Sequence, residues 1–269
     1  MELMEIFGFA GALLIGLVLG LIGGGGSILT VPILVYVLEE DPVRATAYSL
    51  FIVGLSALVG AIRNAQKGMV DFRTGTVFAV PALLAVFVTR KFIIPAIPEH
   101  LFDLGSFEVT KDIAIMVFFA IIMLAAAIAM IKGRKEKEQE EEVKYNYPMI
   151  LLEGSVVGVV TGIVGAGGGF LIIPALVLLA KLPMKKAVAT SLMIIAVKSL
   201  IGFLGDLGSS EFEIEWNFLL VFSAIAVVGI FLGIYLNKFI DGKKLKKAFG
   251  WFVLVMGIYI ILKETVFAV

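Results

Sequence analysis

The sequence contains no cysteine and a single histidine, His100. The absence of cysteine excludes disulfides, thiolate metal sites and cysteine catalysis. One histidine in a polar connection does not suffice for a catalytic constellation, so the sequence predicts no catalytic residues, no metal site, no cofactor and no enzyme. The net charge is zero, with 22 basic and 22 acidic residues, which gives no reason to expect a nucleic-acid partner.

Two common sequence signals are also missing. The opening stretch "MELMEIFGFAG" carries Glu2 and Glu5 but no basic residue, whereas a secretory signal peptide has a basic start. The first apolar segment is therefore expected to be retained. No lysine follows the glycine clusters, so they do not form the phosphate loop of a nucleotide hydrolase.

Apolar residues make up 60% of the chain and charged residues only 16%, with a mean hydropathy of +1.07. Many apolar blocks are about 17–24 residues long, enough to cross a hydrocarbon core of about 30 Å. These features predict an all-α polytopic membrane protein in the cell membrane. The segments are expected at 4–22, 27–38, 44–62, 74–97, 111–131, 148–165, 168–180, 186–204, 217–237 and 246–265.

The chain divides at one strongly charged stretch, "KGRKEKEQEEEVKYNY". It is too polar to enter lipid and has the composition of a solvated linker. We therefore expect a first transmembrane repeat at 1–131, a linker at 132–147 and a second transmembrane repeat at 148–269, each repeat holding about five hydrophobic segments.

The two halves resemble each other in sequence. "GLIGGGGSILTVPILV" begins at Gly20, and "GIVGAGGGFLIIPALV" begins 142 residues later, at Gly162. Glycines and prolines recur in register, which shared hydrophobicity alone would not produce. A one-residue slip near Pro42 and Pro183 is compensated further along, and "VDF" from Val70 then resembles "IEW" from Ile214. This pattern indicates a duplicated unit.

Loop charges predict that the copies have opposite orientations. The connections with Arg63 and Lys67 and the stretch "DGKKLKK" are basic, which places them inside. The acidic stretches "EEDP" and "DLGSSEFEIE" are then outside. Arg90 and Lys91, in a long connection of mixed charge, are the exception. The scheme predicts inverted-topology repeats, both termini outside and a cytoplasmic linker.

The glycine clusters break hydrophobic segments at the start of each repeat and so predict glycine-broken helix hairpins. Irregular backbone at membrane depth requires surrounding protein or a watery cavity. Helices expected to begin at Ser27 and at Gly169 or Phe170 would present free N–H groups to an anion. Pro32 and Pro174 would be structural or hinge residues. The alternative is that the glycines serve helix packing.

Polar residues within the apolar segments are few. Lys198 lies in the middle of its segment, where a lysine costs at least about 2.5–3.5 kcal/mol on insertion scales. It is interpreted as a substrate counter-charge or a proton-linked group, and the alternative is structural pairing with Glu153 or a backbone carbonyl. Asn64 and Asp206 are gate candidates at opposite faces. The candidate substrate-binding residues are Gly23, Gly24, Gly25, Gly26, Ser27, Ser49, Gly165, Gly167, Gly168, Gly169, Thr190, Ser191 and Lys198.

The two glycine-rich stretches, with "KLPMKKAVATSL" following the second, resemble the signature sequences of the TauE/SafE family of sulfite exporters. The likeness covers nearly the whole chain, although Tyr48–Ser49 stands where the family more usually has a threonine–serine pair. The resemblance implies transport of sulfite or a related organosulfonate and a ligand role for both glycine stretches, including Pro32 and Pro174.

The sequence thus predicts a secondary transporter that exports a small anion by alternating access around a midplane site. A passive anion channel or an importer of a related small organic anion on the same scaffold stays open as the alternative. The expected partners are the anionic substrate and the lipid bilayer. A coupling proton or sodium ion is left open, as is the oligomeric state.

Overall fold

The structure is a computed structural model that describes residues 3–104, 107–132, 147–178, 182–207, 212–236, 239 and 242–266. A 3₁₀ helix, Gly24–Leu29, precedes α2, and a π-helical turn, Thr89–Ile93, joins α4 to α5. Most of the predicted linker falls outside the described residues. The α-helices are α1 Leu3–Ile22, α2 Thr30–Tyr36, α3 Pro42–Gln66, α4 Phe72–Val88, α5 Ile94–Ala96, α6 Lys111–Lys132, α7 Tyr147–Val164, α8 Gly169–Leu178, α9 Met184–Asp206, α10 Trp216–Leu236 and α11 Gly242–Thr265.

Among the described residues, five helical segments have the length and apolar character needed to cross a membrane. The mostly helical structure therefore agrees with the predicted all-α polytopic membrane protein. Shorter apolar helices occupy other predicted segments. Two of these helices, α2 and α8, follow the glycine clusters. The five long segments are Pro42–Gln66, Phe72–Ala96, Lys111–Ala129, Lys185–Asp206 and Trp216–Leu236.

Helices α3 and α9 form the centre of the molecule. Their most apolar windows are 72% and 67% buried, whereas the other three long segments are each 39% buried. Large apolar side chains on the outer helices, such as Leu84, Leu152 and Val228, remain exposed. In a protein that lies in lipid, such residues contact the hydrocarbon rather than water, so the arrangement is a buried helix pair inside a lipid-facing shell.

Acidic side chains begin two of the long helices. The Oδ1 atom of Asp41 accepts hydrogen bonds from the N–H groups of Val43 and Arg44, at 2.9 and 3.2 Å, and Pro42 occupies the first turn. Asp71 Oδ1 accepts from the Thr74 N–H at 2.9 Å. These contacts satisfy N–H groups that have no partner inside the helix. The partial positive charge of the helix dipole at this end also stabilises the negatively charged carboxylates.

A two-stranded antiparallel hairpin between α5 and α6 was not predicted from the sequence. Its strands are β1, His100–Leu104, and β2, Phe107–Thr110. The register pairs Leu104 with Phe107 and is irregular between His100 and Phe102. The hairpin sits beyond the predicted span 74–97, where the sequence was read as a mixed connection.

Backbone hydrogen bonds outside the regular helix interiors recur at equivalent places in the two halves. Residues 142 positions apart make the same type of bond with nearly the same length. In the following list, each N–H donor is named before its carbonyl acceptor. The pairs are Gly23 to Leu19 and Gly165 to Thr161, both 2.9 Å; Glu40 to Leu34 and Leu182 to Leu176, 3.0 and 3.1 Å; and Ala45 to Asp41 and Ala187 to Pro183, 2.7 and 2.9 Å.

The central helices α3 and α9 cross with reciprocal contacts. A β-carbon at Gly60 would lie 3.2 Å from Leu192 Cδ1, and one at Gly202 would lie 3.3 Å from Leu50 Cδ1. Gly202 and Leu192 stand 142 positions after Gly60 and Leu50, so each contact is the counterpart of the other. Residue numbers rise along α3 as they fall along α9, and the two helices are therefore antiparallel.

The outer helices exchange partners in the same way. Helix α1 packs on α10, where a β-carbon at Gly16 would collide with the Ala226 carbonyl oxygen. Helix α7 packs on α4, where a β-carbon at Gly158 would collide with the Ala82 carbonyl oxygen. Gly158 and Gly16 are counterparts in the sequence alignment of the halves. Each half thus packs its first helix against a late helix of the other half.

Candidate functional site

Each glycine cluster turns the chain through a left-handed corner directly after a long helix. Gly23 has φ +78° and follows α1, while Gly165 has φ +68° and follows α7. A β-carbon at Gly23 would lie 2.6 Å from Val188 Cγ1, and one at Gly165 would collide with the backbone of Thr46. Glycine is required at both corners because the backbone conformation and the neighbouring helix both exclude a side chain.

The helix starts beyond these corners differ between the halves. Helix α8 begins at Gly169, as predicted. In the first half the expected helix start at Ser27 is wrong, because Gly24–Leu29 form a 3₁₀ helix and the α-helix begins only at Thr30. Four adjacent glycines lack the side-chain restraints that favour an α-helix, and a tighter turn connects them to α2.

The two broken segments meet between the central helices. A β-carbon at Gly167 would lie 3.0 Å from Ser27 Cβ and 3.0 Å from Ile195 Cγ2, and it would collide with Val53 Cγ1. Val53 lies on α3 and Ile195 on α9. The structure therefore brings the predicted residues Ser27 and Gly167 into direct contact at the crossing of the buried helix pair.

Lys198 lies beside this meeting point and is fully buried. Its Nζ atom donates a 2.8 Å hydrogen bond to Thr161 Oγ1, and a β-carbon at Gly168 would lie 3.4 Å from Nζ. The alternative pairing with Glu153 is not observed among the described residues, where no ion pair joins the two side chains and Glu153 Oε2 has no hydrogen-bond partner. The nearest polar partner of this ammonium is thus an uncharged hydroxyl.

Buried hydroxyls without a hydrogen bond lie on α3 near the same crossing. Ser49 and Ser56 are fully buried, and neither hydroxyl oxygen has a hydrogen-bond partner among the described residues. They stand four residues before and three residues after Val53, so the helical repeat places them on its side of α3. A buried hydroxyl left unpaired costs about 1–3 kcal/mol, which a ligand contact would recover.

Other predicted site residues are engaged elsewhere. The Thr190 hydroxyl accepts a 2.9 Å bond from the Asp71 N–H, and the Ser191 hydroxyl donates a 2.8 Å bond to the Val188 carbonyl. The first bond joins the start of α9 to the residue that caps α4, and the second lies within α9. Pro32 is buried as the third residue of α2, and Pro174 is the sixth residue of α8. Their predicted hinge role stays a prediction.

A buried ion pair that the sequence did not predict joins the π-helical turn after α4 to α9. Arg90 is fully buried, and its Nε atom donates to Asp206 Oδ1 at 2.8 Å and to Oδ2 at 2.9 Å. Its Nη1 atom donates to Thr46 Oγ1 at 2.9 Å and to the Gly162 carbonyl at 3.3 Å. Arg90 thus ties together α3, α7 and α9, and we call these four residues the Arg90 cluster.

The opposite end of the central pair is built differently. Asn64, the repeat counterpart of Asp206, donates a 2.8 Å hydrogen bond to the Gly60 carbonyl of its own helix. Trp216 and Phe72 begin corresponding helices 144 positions apart, and by this offset the counterpart of Arg90 is Ile234. Of the two predicted gate residues, only Asp206 therefore joins a charged contact between helices.

Further charges gather near the start of α3. Arg44 Nη1 lies 3.2 Å from Glu40 Oε2 and 3.1 Å from Glu215 Oε1. Partial burial raises the pKa of Glu40, and the hydrogen bond from Arg44 opposes that shift. Within the described ranges, His, Asp and Glu side chains form no group of three or more suited to a metal ion.

The long apolar helices, the buried helix pair and the broken segments that meet beside a buried ammonium define a multi-pass helical membrane protein. A family model described as sulfite exporter TauE/SafE matches residues 8–260. The chain belongs to this family, whose members are membrane transporters. The resemblance noted in the two glycine-rich stretches is therefore confirmed.

Curated relatives carry matching names. A probable membrane transporter protein of Xylella fastidiosa is 31% identical over 255 residues, covering 92% of this chain and 91% of the relative. The probable membrane transporter protein YunE of Bacillus subtilis is 28% identical, with 93% and 92% covered. The probable membrane transporter protein MJ0441 of Methanocaldococcus jannaschii is 32% identical, with 42% and 43% covered. No solved structure matches the chain.

Proposed function

We propose that the protein is a secondary transporter that exports a small anion, with sulfite or an organosulfonate as the substrate class. The observation that carries this proposal is the Lys198 ammonium, which is fully buried and hydrogen-bonded to a neutral hydroxyl. No carboxylate of the described residues forms an ion pair with it. A buried charge without a counter-ion is strongly unfavourable, and a bound anion would supply the missing charge.

The start of α8 adds further attraction for an anion. The first N–H groups of a helix have no acceptor within the helix, and the helix dipole places partial positive charge there. Gly168, whose β-carbon position lies 3.4 Å from Lys198 Nζ, directly precedes this start. Backbone N–H groups and the ammonium would therefore contact the same oxyanion. Gly165, Gly167 and Gly169 leave room for this close approach.

The first half would supply the other side of the site. Ser27 contacts the Gly167 position, and the unpaired hydroxyls of Ser49 and Ser56 lie nearby on α3. The glycines from Gly23 to Gly26 would keep side chains away from the substrate. Thr190 and Ser191, whose hydroxyls bond within the protein, would shape the surroundings and not hold the anion directly.

We also infer that the halves, 1–131 and 148–269, are inverted repeats on either side of a cytoplasmic linker. The recurring backbone bonds support a duplicated unit, and the reciprocal contacts are those expected of a two-fold relation. The antiparallel crossing of the counterpart helices α3 and α9 favours an axis in the membrane plane. Loop charges then place both termini outside.

This arrangement would let the site open to either face in turn. With the loop-charge orientation, the Arg90 cluster lies at the outer ends of α3, α4 and α9. It would act as an outer gate in its closed form, because the ion pair fastens α4 to α9. Asn64 lies at the inner end, where its side-chain amide donates to the Gly60 carbonyl of its own helix.

Flux into proteoliposomes tests the transport proposal. The purified protein should give saturable movement of sulfite or of one member of a sulfonate panel. Lys198→Met should abolish that flux with little loss of thermal stability, while Lys91→Met, which removes an exposed lysine, should leave flux unchanged. Absence of saturable flux with every anion, or equal flux in the two variants, would overturn the proposal.

Counterflow separates a carrier from the alternative channel. Unlabelled substrate on the far side should accelerate the uptake of labelled substrate in a carrier and should not do so in a passive channel. Imposed proton and sodium gradients, applied one at a time, identify a coupling ion. Sided reconstitution with a membrane-impermeant label on the linker then gives the direction of transport.

A further inference from the structure

Thr161 shares the most buried polar contact of the candidate site. Its hydroxyl donates a 2.7 Å bond to the Val157 carbonyl, one turn earlier in α7, so the hydroxyl proton is already used. The oxygen lone pairs therefore face outward and accept the 2.8 Å bond from Lys198 Nζ. An ammonium group has three N–H donors, and this bond occupies one of them.

The same threonine packs against the corner that leads into α8. A β-carbon at Gly168, where φ is +70°, would collide with Thr161 Cγ2 and lie 3.4 Å from Lys198 Nζ. The threonine methyl, the glycine and the ammonium are thus in one tight contact. Any shift of the Lys198 side chain away from Thr161 would move the charge away from the start of α8.

The first half has no threonine at the position that corresponds to Thr161. The counterparts of Gly168 and Thr161 are Gly26 and Leu19, and a β-carbon at Gly26 would collide with the Leu19 backbone. Gly26 lies within the 3₁₀ helix and has no positive φ, so the backbone there differs from the left-handed corner at Gly168. The counterpart of Lys198 is Ser56, so the half that has the lysine is also the half that has the Thr161 hydroxyl.

We propose that Thr161 is a positioning residue for anion recognition, which holds the Lys198 ammonium against the Gly168 corner. The inference rests on the proposed transport function and adds a residue to it. A lysine has a long and flexible side chain, and a fixed acceptor removes that freedom before the substrate arrives. Two N–H donors of the ammonium are then directed to the oxyanion at the start of α8.

The test compares three variants in the proteoliposome assay with sulfite, together with thermal melts of the purified protein. Thr161→Val keeps the shape and removes the acceptor, and Thr161→Ser keeps the acceptor and removes the methyl. Thr76→Val is the matched control, because Thr76 makes the same bond to the carbonyl one turn earlier, 2.7 Å to Phe72, away from any lysine contact.

We expect Thr161→Val to raise KM for sulfite about tenfold or more, the range for losing a hydrogen bond to a charged group, with a smaller change in maximal flux. Thr161→Ser should keep the wild-type KM, and Thr76→Val should change neither value. Sulfite should also raise the melting temperature of Thr161→Ser by as much as that of the wild type, and that of Thr161→Val by less.

A wild-type protein without saturable flux would refute the transport proposal itself. If the wild type transports and Lys198→Met does not, but Thr161→Val keeps the wild-type KM, only the positioning role is overturned. It is also overturned if Thr161→Ser shows the same KM increase as Thr161→Val, because the methyl group would then matter and not the acceptor.

Discussion

The Arg90 cluster allows a quantitative test of how the ends of the central helices are fastened. Asp206→Ala would remove both carboxylate oxygens, at 2.8 and 2.9 Å, from a fully buried guanidinium. Thr46 Oγ1 and the Gly162 carbonyl would remain, but neither carries a charge. Removing one partner of a buried ion pair costs about 3–5 kcal/mol, so we expect a loss of that size in the free energy of unfolding.

Asp206→Asn should cost less, because the amide oxygen still accepts one bond from Arg90. The loss of a charged acceptor corresponds to about 1.5–3 kcal/mol. Asn64→Ala is the matched control, since the side chain of the counterpart asparagine donates to the Gly60 carbonyl of its own helix, and it should cost about 0.5–1.5 kcal/mol. Reversible denaturant titration in detergent micelles, followed by circular dichroism, measures all three.

The double variant Arg90→Met with Asp206→Leu tests whether the loss of stability comes from the unpaired buried charge. Apolar replacement of a buried pair is often neutral, so the double variant should recover most of the stability that Asp206→Ala loses. The reasoning is refuted if Asp206→Ala costs no more than Asn64→Ala. It is equally refuted if the double variant is less stable than Asp206→Ala, because removing the charge of Arg90 would then not relieve the cost of the lost carboxylate.

The absence of cysteine makes the gate role directly measurable. Ala45→Cys places one thiol at a fully buried position beside Thr46, against a background with no other thiol. In the proposed outer gate, adding Asp206→Ala should increase its labelling by a membrane-impermeant maleimide from the outside. Unchanged labelling in a folded double variant would contradict a gate at this position.

Three further predictions concern local structure. Gly165→Ala should destabilise the protein by more than the roughly 1–3 kcal/mol of a left-handed backbone, and Gly68→Ala, where φ is +67° but the space is open, should cost only that backbone contribution in the same titrations. The hydrogen bond to Asp103 raises the pKa of His100, so Asp103→Asn should move the titration of the imidazole ring to lower pH, as measured by NMR. Any contribution of this pair to the free energy of unfolding is complete at pH values below the pKa of histidine in the unfolded chain. It disappears as the pH rises through the pKa of His100 in the folded protein. Asp41→Ala should cost about 1 kcal/mol through the lost helix cap, and Asp41→Asn, which still accepts hydrogen bonds, should cost less in denaturant titrations.

The sequence predicted the helical segments well because hydrophobic length is a local property. The expected segment 186–204 lies within α9, and 217–237 nearly coincides with α10. The left-handed corners at Gly23 and Gly165 fall within the glycine clusters, while the predicted glycine-broken helix hairpins stay a prediction. The sequence did not predict the 3₁₀ helix, because consecutive glycines favour neither a 3₁₀ helix nor an α-helix.

The polar contacts were harder to predict because their partners are distant in the chain. Arg90 and Asp206 are 116 positions apart, and Thr161 and Lys198 are 37 positions apart. Arg90 lies near the end of the predicted segment 74–97, and its charge alone assigns it to a connection of mixed charge. Its burial depends on a carboxylate from the other half, which no local pattern reveals.

The proposed function depends on residues that differ between the two halves, whereas the packing of the helices depends on residues that the halves share. Packing contacts recur across the duplication, as Gly60 with Leu192 and Gly202 with Leu50 illustrate. If packing alone decided, inverted repeats would make states open to the two faces nearly equal in energy. In the proposed inverted repeat, a buried ion pair at one end, with an asparagine and an isoleucine at the corresponding positions of the other, would remove that equality.

The same asymmetry applies to the substrate site. Lys198 and Thr161 lie in the second half, and their counterparts Ser56 and Leu19 carry no charge. An anion bound there would interact most strongly with one half and would move with it. In alternating access the substrate would therefore travel with the second half, while the first half supplies hydroxyls that need not hold charge.

Exchanging the pair, with Lys198→Ser and Ser56→Lys in one chain, tests this directly. If the site were symmetric, saturable sulfite flux would survive the exchange. The proposed asymmetry predicts that the flux is lost, because Leu19 gives the displaced ammonium no acceptor.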